Sequence, residues 1–265
     1  MSSTATTSKP TPDDTVLAVL KKRFTLAQWK DLRKELQSSS AGTEKWVEAF
    51  NVLRTRWETR YLHPIGWIHD YHGAEDAKGE GFAIMTIACC LLENVAAAYF
   101  GRIYHYGFQP GHKSFAPWGY HDPKEFYEKM LRLHPDFRGK VLCPDFNEQR
   151  FYRAIRCGLI HEARTKAELK IQCNSSTADL LQVEKNSVVV NRHAFVTRIN
   201  CAIKRMEADV LSGTRISKVG NPRHNLARVM DWTFGMFDHH EPSDALKGDS
   251  MPWWNADDFK AGILA

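Results

Sequence analysis

Apolar residues recur at three- and four-residue steps along most of the chain, the spacing that places them on one face of an α-helix. The stretch from Val16 to Leu36 predicts one or two amphipathic helices, with a break near Thr25. The other stretches with this spacing predict helices at residues 43–62, 82–104, 122–133, 191–211 and 225–237, and a further helix that begins at Asp145 or Asn147 and runs to residue 163. The helix that starts at residue 43 is expected to end at His63-Pro64, because proline disfavours helical conformation in the residue before it.

A different pattern lies between Leu180 and Val190. Runs of β-branched and apolar residues flank the polar sequence EKNS at residues 184–187, which is typical of two strands joined by a turn. Together the two patterns predict an all-α core of about five or six helices with a small β-hairpin insertion.

The two ends of the chain are less regular than its middle. Residues 1–14 are rich in serine, threonine and proline, which predicts a disordered tail rather than a signal peptide. Residues 15–212 are expected to form the helical domain. Residues 213–265 are expected to form a C-terminal extension that is partly helical and partly irregular.

Composition narrows the functional class only slightly. The chain has 36 basic and 31 acidic residues, and the resulting charge of +5 is compatible with a polyanionic partner without establishing one. Six cysteines occur at irregular spacings without a CxxC pair, so we expect reduced thiols in a cytoplasmic protein.

One segment has the length of a membrane span. Phe82–Phe100 is almost entirely apolar, but Glu93 and Asn94 lie inside it. Because a charged group in the hydrocarbon core is costly, we expect a buried core helix and no membrane association.

Arg156 and His161 are the residues most suited to chemistry. A guanidinium is a permanent cation that can hold a phosphate through two parallel hydrogen bonds. An imidazole titrates near neutral pH and can transfer protons. The two groups are the smallest set that could cleave RNA without a metal ion, by attack of the 2′-hydroxyl on the adjacent phosphate.

The spacing of this pair constrains its geometry. On a straight helix five residues correspond to about 500° of rotation and about 7.5 Å of rise, so Arg156 and His161 would point about 140° apart. Either the helix is distorted near Gly158, or a second copy of the chain completes the site. The second option predicts a homodimer.

The surrounding sequence resembles the HEPN superfamily of helical nucleotide-binding and RNase domains. That superfamily carries an arginine, four to six residues and then a histidine near the end of a helix, as in FYRAIRCGLIHEA at residues 151–163. RWETRYLHPI at residues 56–65, GEGFAIMTIACCLLE at 79–93 and VNRHAFV at 190–196 resemble the other helices of a poorly characterised bacterial HEPN-like group. The resemblance covers roughly residues 45–211 and implies a HEPN-like helical bundle over the domain at 15–212.

Three further residues bear on this site. Glu93 is an acid inside an apolar helix. It is expected to orient Arg156, as an acid on an earlier helix sometimes does in the superfamily, or else to form a structural salt bridge or lie on an exposed face. Cys157 departs from the Asn, Asp or His that often follows the arginine in active HEPN RNases, and a cysteine cannot donate as asparagine does. Glu162 lies beside His161, so the histidine is alternatively a structural residue at the end of its helix.

The resemblance therefore implies a metal-independent HEPN endoribonuclease that acts on RNA as a homodimer. It further implies a toxin or antiphage role, with an antitoxin or another defence-system subunit as partner. The alternative is a non-catalytic HEPN-like module that binds RNA, a nucleotide or a protein. A third interpretation is a helical scaffold in which Arg156 and His161 are structural.

Other chemistries have little support in the sequence. His69 and His72, and the adjacent pair His239-His240, lack companion ligands at metal-binding spacing, so neither a metal nor a cofactor is expected. The aromatic residues that could stack on bases are more simply explained by packing of loops: Trp118, Tyr120, Trp253 and Trp254.

Overall fold

The computed structural model describes most of the chain, and the predicted tail at residues 1–14 lies outside the described residues. The described ranges are 16–19, 23–38, 42–72, 80–104, 118–120, 122–140, 146–166, 169–172, 178–184, 187–236 and 251–255.

The described residues are mainly helical. The α-helices are α1 (Leu26–Gln37), α2 (Thr43–Trp57), α3 (His63–His72), α4 (Glu80–Phe100), α5 (Lys124–Leu133), α6 (Glu148–Phe151), α7 (Gly158–Glu162), α8 (Arg192–Ser212) and α9 (Pro222–Thr233). Two π-helical segments, Glu58–Leu62 and Tyr152–Cys157, join α2 to α3 and α6 to α7. Because each π-helical segment joins two of these α-helices into one, the described part of the chain has seven continuous helices. Six of them precede residue 213, in agreement with the expected core of five or six helices.

The described strands are short and form three separate sheets, two of them with two strands and one with three. They are β1 (Val16–Val19), β2 (Arg23–Thr25), β3 (Ile103–Tyr104), β4 (Gly119–Tyr120), β5 (Leu169–Gln172), β6 (Leu181–Glu184) and β7 (Ser187–Asn191). The predicted hairpin is confirmed as the antiparallel pair β6–β7. The sequence did not predict β5, which pairs in parallel with the other edge of β7. At the end of β7, the Asn191 side chain accepts from the backbone N–H groups of His193 and Ala194, which caps α8.

The predicted helix before Thr25 is wrong. β1 and β2 form an antiparallel pair there, and the helix begins only after Thr25. Thr25 and Gln28 form a capping box, in which the Gln28 side chain accepts from the Thr25 N–H at 2.8 Å. A short apolar run fits a strand as well as a helix, so the apolar spacing alone did not distinguish them.

The predicted helix end at His63-Pro64 is also wrong. The helix continues through the π-helical segment Glu58–Leu62 into α3. A proline in an α-helix lacks a backbone donor, and its ring clashes with the carbonyl four residues earlier. Here the preceding turn is wider, with the His63 N–H bonded to the carbonyl of Glu58, five residues back. The widened turn accommodates Pro64 within one continuous helix.

α4 lies at the centre of the fold and contacts α3, α5, α8 and α9. It ends at Phe100 rather than at Tyr104, because Gly101 adopts a φ of +62°. A Cβ at Gly101 would lie 2.3 Å from Nη1 of Arg228, so glycine is required there. α4 also has the length and hydropathy of a membrane span, but a core helix has both as well, and 56% of its most apolar window is buried.

The central position of α4 leads to a stability prediction. Leu91 is fully buried in the middle of this helix. We expect Leu91→Asp to lower the free energy of unfolding by about 3–5 kcal/mol, because an unpaired carboxylate would enter the core. The melting temperature should fall by roughly 10 °C. The control is Ala83→Asp at an exposed position of the same helix. Equal melting temperatures for the two variants would contradict a core position for Leu91.

The described part of the C-terminal extension packs into the same core. α9 contacts α4 and α8, and a short 3₁₀ turn at Pro252–Trp254 contacts α9. The centre of this packing is Asp231, which is fully buried. Its carboxylate accepts from Nε of Arg33 at 2.7 Å and from three indole N–H groups, those of Trp29 at 3.0 Å, Trp253 at 2.7 Å and Trp254 at 2.9 Å.

Arg228, also fully buried, extends this polar cluster. It donates from Nε and Nη2 to the carbonyl of Trp253, and from Nη1 to the carbonyl of Gly101. Its guanidinium carbon lies 5.6 Å from the ring centroid of Trp118, a cation–π distance. Trp118, Trp253 and Trp254 are therefore buried packing residues, as the simpler interpretation of these aromatics predicted.

Candidate functional site

Arg156 lies in a widened helical turn. The π-helical segment Tyr152–Cys157 interrupts the helix directly before Gly158, so the helix is distorted where the spacing of the motif suggested. Such turns occur frequently at functional sites. Gly158 permits a close approach, since a Cβ there would lie 2.5 Å from the carbonyl oxygen of Arg164, which follows the end of α7.

The guanidinium of Arg156 is held by Glu93 on α4. Its Nη2 donates to Oε2 of Glu93 at 2.7 Å, and the two side chains are only 14% and 19% exposed. Glu93 therefore pairs with Arg156, and this contact fits both a role in orienting Arg156 and a structural salt bridge. Nε of Arg156 has no hydrogen-bond partner in the described part of the chain, so Glu93 engages one donor of the guanidinium rather than two.

The surroundings keep Arg156 charged. Burial acts against the charge, but the hydrogen bond and the negative charge of Glu93 outweigh burial and raise the pKa of Arg156 above its usual value. The guanidinium carbon lies 5.5 Å from the ring centroid of Tyr152, a cation–π distance. The tyrosine ring and the carboxylate thus fix the position of a permanent cation.

The other π-helical segment also contacts α4 next to Glu93. Tyr61, within Glu58–Leu62, accepts through its hydroxyl from Nδ2 of Asn94 at 3.2 Å. The same Nδ2 donates to the carbonyl of Cys90 at 2.9 Å. Two widened turns from separate helices therefore meet α4 at neighbouring residues, Glu93 and Asn94.

Several tyrosines surround this ion pair. Burial raises the pKa of Tyr61, Tyr120 and Tyr152, and it also raises that of the fully buried Tyr127. Their phenols therefore stay neutral at physiological pH. The hydroxyl of Tyr152 lies 3.5 Å from Oδ1 of Asp122. The half-buried Tyr61 and Tyr120 offer neutral hydroxyls at the edge of the cluster.

His161 lies apart from this cluster. It is exposed, one residue before the end of α7. Within the described ranges no hydrogen bond, ion pair or ring contact joins it to Arg156. The neighbouring Glu162 pairs with Lys166 and with Arg164, the latter at 3.1 Å, and not with His161. The imidazole is thus accessible.

The remaining predicted residues, Cys157 and Glu162, lie in different places: one in the cluster around Arg156 and the other beside His161 at the exposed end of α7. Cys157 is half-buried at the end of the π-helical segment, where it hydrogen-bonds to Tyr152, and so belongs with Arg156. Glu162 is exposed, and its pKa is lowered by its hydrogen bonds to Lys166 and Arg164. The structure therefore groups Glu93 and Cys157 with Arg156 but leaves His161 and Glu162 outside that group.

The part of the chain that the structure describes contains no grouping of three His, Cys, Asp or Glu side chains that could hold a metal ion. Of the histidine pairs weighed from the sequence, His239-His240 lies outside the described residues.

Sequence reasoning missed the residues that complete the cluster. Tyr61, Asn94 and Tyr152 lie in or beside the segments that carried the HEPN resemblance, but no spacing rule connects them. The polar pair Glu93-Asn94 inside an apolar helix was the available signal, because a buried polar group requires partners from other elements.

Comparison with family models, with curated protein sequences and with solved structures gave no match.

Proposed function

We propose that this protein is a metal-independent endoribonuclease of HEPN type, in which Arg156 binds the scissile phosphate and His161 transfers protons. The observation that carries the proposal is the Arg156–Glu93 ion pair in a π-helical turn, with an accessible histidine five residues further on. The helical fold around α4 is compatible with the HEPN-like bundle that the resemblance implies.

The reaction needs only groups that this chain has. The 2′-oxygen of the RNA forms a bond to phosphorus while the bond from phosphorus to the 5′-oxygen breaks. A histidine accepts the proton of the 2′-hydroxyl, and a proton is delivered to the leaving 5′-oxygen. The Arg156 guanidinium stabilises the negative charge on the phosphoryl oxygens. The products are a 2′,3′-cyclic phosphate and a 5′-hydroxyl.

A homodimer is part of the proposal. Within the described part of one chain no contact joins Arg156 to His161. A second copy of the chain could therefore supply the histidine that acts beside Arg156. Two copies of His161 in one cleft would also supply both an acceptor and a donor of protons. A toxin or antiphage role with an antitoxin or defence-system partner, in the cytoplasm and away from membranes, belongs to the same proposal.

A second candidate function is supported by one observation. Glu93 already offsets much of the Arg156 charge, which weakens the stabilisation that the guanidinium could give to a phosphoryl transition state. Together with Cys157 at the position after the arginine, this favours a non-catalytic HEPN-like module that binds RNA, a nucleotide or a protein.

An RNA cleavage assay in EDTA tests the proposal. We expect the wild-type protein to cut RNA and to leave cyclic phosphate ends, whereas DNA of the same sequence should resist because it lacks the attacking 2′-hydroxyl. Arg156→Lys should impair cleavage, since lysine keeps the charge but loses the planar two-pronged grip. Arg153→Lys is the matched control, because Arg153 is an exposed arginine of the same π-helical segment.

The possible outcomes separate the two functions. Cleavage of DNA, loss of activity in EDTA or equal rates for the two arginine variants would overturn the proposed mechanism. Binding of RNA without any cleavage would favour the non-catalytic module.

A further inference from the structure

A cavity of about 350 Å³ lies between the end of α4, one face of α5 and the turn at residues 216–220. Apolar side chains that include Phe100 and Phe126 line one part of it. Its volume falls in the range of small-molecule sites in proteins. The cavity shares no lining residue with the Arg156 cluster, so its chemistry is independent of RNA cleavage.

The polar lining of this cavity is entirely basic among the described residues. Arg102, Lys129, Arg132 and Lys218 contribute four cations. Glu125, which lies outside the lining, offsets one of them through its contact with Lys129 at 2.6 Å. Even when Lys129 and Arg102 are both counted as partnered, Arg132 and Lys218 leave an excess of positive charge in one concave site, which is the arrangement that attracts an anion.

A neighbouring cavity of about 480 Å³ has the opposite balance. It shares Arg102 and Phe126, but its lining also includes Asp122, Glu125 and Glu128 against a single further cation, Lys124. The three acids there outnumber the two cations, so the larger cavity does not select anions. The charge excess belongs to the smaller cavity and is not a general property of this surface.

Arg102 is half-buried in the wall of the cavity, and Lys218 lies in a tight turn. Burial lowers the pKa of the Arg102 guanidinium, although Glu125 acts in the opposite direction. Lys218 adopts a φ of +63°, which is uncommon for a residue other than glycine. The turn around it is closed by hydrogen bonds from Ile216 N to Gly220 O and from Gly220 N to Ile216 O.

We propose that this cavity binds a small phosphomonoester whose remaining part is apolar or aromatic. A phosphomonoester carries nearly two negative charges at neutral pH and three strong acceptor oxygens, which suit a group of lysines and arginines. The rings of Phe100 and Phe126 provide the apolar wall for the rest of the ligand. The concave shape and the small volume favour a free small molecule over a nucleic-acid backbone.

Calorimetric titration of the full chain tests this site, with phenyl phosphate and inorganic phosphate as probes. Phenyl phosphate should bind at least about tenfold more tightly than inorganic phosphate, because its ring gains the apolar wall. Its affinity should also fall as the salt concentration rises. Lys218→Asn and Arg132→Gln should each weaken phenyl phosphate about tenfold through loss of a charged hydrogen bond.

The variants are chosen so that they fold. Lys218 and Arg132 are exposed, and asparagine tolerates a positive φ. Lys204→Gln, at an exposed position of α8, is the matched control and should leave binding unchanged. The proposal is overturned if phenyl phosphate does not bind at millimolar concentration, if inorganic phosphate binds equally well, or if the control loses as much affinity as the other variants. Tighter binding of an oligonucleotide without terminal phosphates, lost in the same variants, would assign the cavity to a nucleic-acid backbone instead. The RNA cleavage assay has no bearing on any of these outcomes.

Discussion

Replacing His161 with alanine is expected to lower the rate of RNA cleavage by roughly 10²- to 10⁴-fold, the usual scale for loss of a general acid–base group. His161 is exposed and makes no side-chain contact with Arg156 in the described structure, so its removal should not disturb the Arg156–Glu93 ion pair. The measurement is the single-turnover rate on one RNA substrate. Circular dichroism and the melting temperature should match those of the wild type.

His193→Ala provides the control for this prediction. His193 is also an exposed histidine on a helix, but it lies near the start of α8 and has no place in the proposed mechanism. It should cut RNA at the wild-type rate. If His161→Ala cuts as fast as His193→Ala, His161 is not the proton-transfer group and the catalytic assignment fails.

Dimer formation provides a further arm of the same experiment. If two copies of His161 act in one cleft, wild-type activity per chain should fall when the protein is diluted below its dissociation constant. Light scattering over the same concentrations should show the corresponding change in mass. A monomer at all concentrations that still cuts RNA would place both groups of the site in one chain.

Elements with strong local signals were predictable from the sequence. The long helix α4 was predicted from its almost entirely apolar composition. Asn147 accepts from the backbone N–H of Arg150 and so caps the start of α6, at one of the two positions that the sequence allowed. The hairpin β6–β7 followed from two β-branched runs around a polar turn. In each case residues a few positions apart determine the structure.

Elements that depend on distant residues were not predictable in this way. The parallel pairing of β5 with β7 joins strands that are separate along the chain, and β5 alone carries no strong pattern. The π-helical segments break the period of 3.6 residues on which the helix predictions rest. The contacts of Tyr61 with Asn94 and of Arg156 with Glu93 join residues 33 and 63 positions apart. The sequence therefore located the candidate site but not the tyrosines around it.

Asp231 is the clearest case of a residue whose importance is visible only in three dimensions. It is one acid among 31 in the sequence, on a helix with a weak pattern. Its carboxylate accepts from Trp29, which is 202 positions away, and from Arg33, which is 198 positions away. The same group holds Trp253 and Trp254, so one side chain joins α1, α9 and the C-terminal turn.

Asp231→Asn is expected to lower the free energy of unfolding by about 3–5 kcal/mol, because removing one partner of a buried ion pair takes the negative charge away from the buried Arg33 guanidinium. All four neighbours are hydrogen-bond donors, and an asparagine would direct its own N–H₂ group at some of them. Chemical denaturation at neutral pH measures the loss. Asp31→Asn is the control, since Asp31 is an exposed carboxylate on α1 that contacts Lys34 at 3.5 Å, and it should change stability by no more than about 0.5 kcal/mol. If Asp231→Asn is as stable as this control, the buried carboxylate does not hold Arg33 and the three tryptophans together. Packing of the tryptophan rings alone would then account for the attachment of the C-terminal turn.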